Sequence, residues 1–142
     1  MPYTFPKHKK NANGTYGPTL HGHYYKAVYY HSQKAKTNAH KTKWKLIALK
    51  QYEVFSVADG DKVEFYKEAE RGLYGFLDKM SVILGTGEER IAFFPRPKNK
   101  PEAWHGYPIT SSDISNDDII QRWHDQNMIT TPMYRKLLKR QI

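Results

Sequence analysis

The sequence predicts an α+β fold: a small antiparallel sheet packed by one amphipathic helix and a C-terminal helical hairpin, with a basic N-terminal arm. Three observations carry that prediction. Apolar runs flank Asp59-Gly60, the apolar residues from Leu73 to Leu84 recur at three- and four-residue spacing, and capping signals precede two apolar stripes in the C-terminal third. At 142 residues the chain has room for one domain. The sequence divides into an arm over residues 1–43 and a single α+β domain over residues 44–142.

Each element follows from local chemistry. Pro2, Pro6, Gly14, Gly17 and Pro18, among few aliphatics, make residues 1–20 an extended arm with turns. Within residues 21–43, HYYKAVYYH has strand character, while QKAKTNAHKTK is polar. From Trp44, the run KLIALKQYEVFSVA reads as strand, Asp59-Gly60 as a hairpin turn and KVEFYKEA as the returning strand. The rival is a helix from Asp61 carrying Val63, Tyr66, Ala69 and Leu73, which Gly72 and Gly75 weaken. Leu73, Phe76, Leu77, Met80, Ile83 and Leu84 form one helical stripe, stopped by Gly85. Arg90 to Phe94 reads as a short buried strand ended by Pro95 and Pro97. Ser115 with Asp118 approximates a capping box for a helix carrying Ile119, Ile120 and Trp123. Thr131-Pro132 opens a last helix carrying Met133, Tyr134, Leu137 and Leu138.

Composition excludes several classes. The chain has no Cys, which removes disulfide frameworks, Cys-based zinc sites and thiol nucleophiles. Mean hydropathy is -0.81, and no stretch approaches the roughly 20 apolar residues of a membrane span. The start, MPYTFPKHKK, lacks the apolar segment of a secretory leader, so a cytoplasmic location is the expectation. P-loop, dinucleotide-binding, nucleophile-elbow and EF-hand patterns are absent, and no cofactor is expected.

Charge points to a partner. Residues 1–52 hold ten Lys and no Asp or Glu, so the net charge of +9 belongs wholly to the first third. Lys neutralises phosphates, and Tyr or His rings stack on unpaired bases. Lys9, Lys10, Tyr24, Tyr25, Lys26, Tyr30, Lys34, Lys36, Lys41 and Lys43 are therefore the candidate nucleic-acid-binding residues, with RNA or single strands favoured over duplex DNA. The alternatives are a solvated tail whose Tyr residues pack on the domain, or an adaptor docking on an acidic protein.

His21, His23 and His105 are the candidate catalytic residues if the chain cleaves RNA. A metal-independent ribonuclease needs a general base, a general acid and cations on the phosphate. Lys26 or Arg96 would meet the phosphate, with Glu53 or Tyr107 assisting. In size, charge and lack of Cys the chain resembles bacterial toxin ribonucleases in general shape, though it carries no motif of theirs. No metal site is expected, because His21-Gly22-His23 has no carboxylate nearby in sequence and a basic setting repels a cation. Trp104-His105-Gly106-Tyr107-Pro108 reads as an anchored loop with Trp104 in the core, against the rival of an exposed recognition loop. The C-terminal run DIIQRWHDQNMITTPMYRKLLKR resembles the short helical hairpin that ends many bacterial proteins. Its basic face of Arg135, Lys136, Lys139 and Arg140 raises a helix-turn-helix alternative.

Overall fold

A computed structural model of the chain describes residues 3–28, 43–61, 64–67, 70–99, 101–114 and 116–142. Helix α1 (Ala48–Asp61) leads into strands β1 (Glu64–Lys67) and β2 (Glu70–Gly75). Then come β3 (Ile91–Pro95), β4 (Tyr107–Ile109), α2 (Asp117–Asp125) and α3 (Thr131–Leu138). The four strands form one antiparallel sheet in the order β1-β2-β3-β4. Leu73 lies opposite Phe94 and Phe93 opposite Tyr107, which fixes the register.

Strand alternation divides the core in two. Leu73, Ala92 and Phe94 face a cluster containing Val54, Phe55 and Ala58 of α1, together with Tyr16, Tyr25, Trp44 and Trp104. Tyr74, Ile91, Phe93 and Ile109 face the other cluster, with Ile119, Ile120, Trp123 and Leu137 of the C-terminal helices. Gly75 lets α1 approach the sheet, since a Cβ there would lie 3.1 Å from Ala58 Cβ and 3.1 Å from Val54 Cγ1.

The fold class is α+β, but three local expectations are corrected. The run from Lys45 to Ala58 forms α1 rather than a strand, and Asp59-Gly60 belongs to its last turn rather than to a hairpin. Five consecutive residues, Gln51 to Phe55, are buried, so the helix carries no polar stripe and its sequence imitates an apolar strand. The segment expected as a helix over 73–84 is instead the end of β2 followed by a short 3-10 turn at Asp78–Met80. Residues 72–77 are all buried, and the strand shows no polar alternation to reveal it. The helix on the sheet is thus α1, not 73–84.

The C-terminal helices form where expected, with shifted caps. Ser115 lies outside the described residues; Asn116 caps α2, its Oδ1 accepting from Asp118 N–H at 2.8 Å. Thr130, one residue before the expected Thr131, caps α3 through its hydroxyl, with Pro132 in the first turn. Asn127 holds a positive φ of 62° in the connecting turn, a conformation Asn tolerates better than most residues.

Candidate functional site

Residues 3–28 are tied to the core by backbone pairing at Tyr16 and at Tyr24 to Lys26. Tyr16 and Tyr25 exchange backbone hydrogen bonds at 2.8 and 2.9 Å. Lys26 N–H donates to the Trp104 carbonyl at 2.9 Å, and Trp104 N–H to the Tyr24 carbonyl at 2.7 Å. Period-2 geometry then sends Tyr25 inward and Tyr24 and Lys26 outward. Tyr25 is fully buried, beside Phe55 and Phe94, and its hydroxyl donates to Gln51 Oε1 at 2.7 Å. Its ring therefore cannot stack on a base, which removes it from the expected set. Burial also holds its hydroxyl protonated far above the usual Tyr range.

Tyr24 and Lys26 line a surface groove of about 760 Å³ with Asn11, Asn13, Thr15 and Pro101. Tyr24 is 41% exposed, the most exposed Tyr among the described residues outside β1 and β2. Lys9 and Lys10 are exposed on the segment just before Asn11. Lys43 lies apart, its carbonyl accepting from Thr86 N–H at 2.9 Å. Tyr30, Lys34, Lys36 and Lys41 lie outside the described residues, as do His31 and His40.

The first two acids of the sequence are turned inward beneath this segment. Glu53 is buried and accepts from the Tyr3 hydroxyl and, at 3.0 Å, from His8 Nε2. Burial, the bond to Glu53 and the charges of Glu53 and Asp78 together push the Tyr3 hydroxyl well above its ordinary range. Asp59, also buried, accepts from the Thr19 hydroxyl and, at 2.8 Å, from His23 Nδ1. Tyr52, immediately before Glu53 on α1, is likewise raised by burial and then by the charges of Asp59 and Glu53. The outer face of residues 3–28 keeps its Lys charge, since neither carboxylate is presented to solvent.

His21 and His23 are brought together, their ring centroids 6.5 Å apart. His21 is exposed on the turn closed by Gly22 N–H donating to the Thr19 carbonyl at 2.9 Å. His23 is one-third exposed and packs 5.2 Å from the Trp104 ring, over which the Arg96 guanidinium sits at 5.6 Å. Asp59 was not among the expected site residues, because it is 36 residues from His23 and sat in an apparent hairpin turn. His105 is half-buried, one residue beyond Trp104, and Trp104 itself is buried as the anchored-loop reading requires.

The chain matches no protein-family model, no curated protein and no solved structure. On the opposite side, Arg140 is committed internally: it donates to the Ile114 carbonyl at 3.0 Å and the Leu137 carbonyl at 2.8 Å, and pairs with Asp117 at 2.6 Å. The basic C-terminal face is thereby reduced by the residue that ties α3 back to α2. Among the described residues no helix is long and apolar enough to cross a membrane.

Proposed function

We propose that the protein binds single-stranded nucleic acid, RNA in particular, across the outer face of residues 3–28. The observation that carries this reading is the groove that sets the exposed Tyr24 ring beside Lys26, on a segment whose own acid count is zero. Unpaired bases stack on an exposed aromatic ring, while lysines track the backbone. Asn11 and Asn13 add amide groups at the same wall, and Asn13 Oδ1 is already occupied by the Thr15 backbone and hydroxyl. Asn13 Nδ2 and Asn11 Oδ1 remain for base edges or the 2′-hydroxyl. Glu102, the acid nearest this wall in sequence, accepts from Asn99 Nδ2 at 2.6 Å.

Fluorescence anisotropy of a labelled single-stranded RNA across a salt series tests the reading. Phosphate contact predicts a linear fall of log K with log salt, with a slope of about -0.7 per contact for single strands. Lys9→Ala, Lys10→Ala and Lys26→Ala should each flatten it by about that amount. Tyr24→Ala should weaken binding by about 1–3 kcal/mol at every salt concentration, the loss of one stacked base. Absence of binding at low salt, or equal binding by all four variants, contradicts the proposal.

A further inference from the structure

We infer that Asp59, His23 and His21 form an acid–base centre that cleaves the bound RNA at a phosphodiester carrying a free 2′-hydroxyl. The inference rests on the nucleic-acid reading above and names a reaction for the same N-terminal segment, at the turn that precedes Tyr24. His23 Nδ1–H donates to Asp59 Oδ1 at 2.8 Å, which fixes the tautomer and leaves Nε2 with its lone pair. The Thr19 hydroxyl donates to the other oxygen of Asp59, and the backbone N–H of His23 donates to Thr19 Oγ1 at 3.1 Å. Carboxylate, hydroxyl and imidazole thus lock one another on the last turn of α1. The Trp104 ring bounds His23 at 5.2 Å.

The second imidazole distinguishes this site from the other His–carboxylate pair on α1. His8 packs edge-on against Tyr52 at 4.7 Å, and Glu53 is closed by the Tyr3 hydroxyl. His23 instead has His21 6.5 Å away, on the exposed side. Rings at that separation can flank one phosphate whose entering and leaving oxygens each lie about 3 Å from a ring nitrogen.

The step balances without water or metal. His23 Nε2 accepts the proton of the 2′-hydroxyl as that oxygen bonds to phosphorus. The bond from phosphorus to the 5′-oxygen breaks, and protonated His21 supplies the proton that the leaving oxygen takes. The products are a 2′,3′-cyclic phosphate and a 5′-hydroxyl. Arg96, held at the Trp104 ring, supplies positive charge for the phosphorane-like transition state. His21 and His23 are the catalytic residues; Asp59 is a positioning residue.

Full-length protein, single-turnover conditions, EDTA and an end-labelled single-stranded RNA test this, with anisotropy measured on the same samples. The wild type should bind the RNA and cut it to cyclic-phosphate ends, and a single 2′-deoxy nucleotide should abolish cutting at that position alone. His23→Ala and His21→Ala should each slow cleavage by about 10²–10⁴-fold while binding persists. Asp59→Asn should retain binding, lower the rate and displace the acid limb of the pH–rate profile, an effect that loose packing would not produce. Lys136→Ala should change nothing. If His23→Ala fails to fold by circular dichroism, His21→Ala on its exposed turn decides. RNA that is bound but uncut, or cut equally by His21→Ala, overturns this inference and leaves the binding reading standing. RNA that is not bound removes both.

Discussion

One face of the sheet packs against α1 and residues 3–28, the other against α2 and α3, and the two sides differ in chemistry. Four of the five buried polar residues among those described, Thr15, Gln51, Glu53 and Asp59, lie on the α1 side; Ser111 alone lies elsewhere. The α1 side is threaded by polar links: Tyr25 to Gln51, Trp44 Nε1 to the Gly106 carbonyl at 2.9 Å, His8 to Glu53 and His23 to Asp59. The C-terminal side is a cluster of Ile and aromatic residues around Trp123, with rings of Tyr74 and Phe76 at 5.9 and 5.0 Å. Burial of polar groups costs free energy unless they are paired, so the α1 side is held by specific partners and the C-terminal side by apolar area. Candidate chemistry collects on the first; the second holds the sheet by apolar packing.

The comparison can be broken first at Trp123. Trp123→Ala removes a side chain that is 1% exposed and should lower stability by about 3–5 kcal/mol, read by denaturant unfolding. RNA affinity of the protein that stays folded at low temperature should be unchanged, because the groove lies across the sheet. Loss of affinity in folded Trp123→Ala would place function on the C-terminal side.

Tyr25→Phe probes the polar side at a single atom. It leaves Gln51 Oε1 buried without its donor, while Gln51 Nε2 still donates to the Leu46 carbonyl at 2.9 Å. The expected cost is about 1–3 kcal/mol in denaturant unfolding. A neutral result would mean that packing rather than pairing holds residues 3–28 against α1.

The smallest effect at neutral pH is the one that appears in alkali. Tyr3, Tyr25 and Tyr52 are raised above the ordinary value of 10.0, and Tyr74 is pushed up to about 12 by burial and the Asp113 charge. The native state therefore holds these protons more tightly than the unfolded chain does. That contribution is complete below pH 10.0, where both states are protonated, and is lost as pH climbs from there through the folded values. Tyrosinate absorbance should rise together with loss of circular dichroism above pH 10.0. Titration of all eleven Tyr around 10.0 with the fold intact would contradict the raised values of these four hydroxyls.

The same division governs what the sequence reveals. The C-terminal side is legible: Ile119, Ile120 and Trp123 repeat at helical spacing, and Asp117, Asp118 and Pro132 mark helix starts. Each of these helices has a wet face, so its periodicity survives. Helix α1 over 51–55 and the chain over 72–77 are buried without a break and lose the polar counterpoint from which period is read, which is why each imitates the other's element. The site divides likewise. Lys26 and Tyr24, adjacent to one another in the groove, follow from local charge and aromaticity, and His21 with His23 from their spacing. Asp59 and Thr19 depend on the long-range docking of residues 3–28 on α1, for which no local pattern exists. Tyr25 looked equivalent to Tyr24 and differs only by the side of the strand on which it falls.

Lysine acylation footprinting, with and without a saturating single-stranded RNA and read by mass spectrometry, tests the central claim that function lies on the α1 side. Protection should appear at Lys9, Lys10 and Lys26, with Lys136 and Lys139 as reactive as in the free protein. Protection confined to Lys136 and Lys139 would contradict the account and move the nucleic-acid interface to the C-terminal helices.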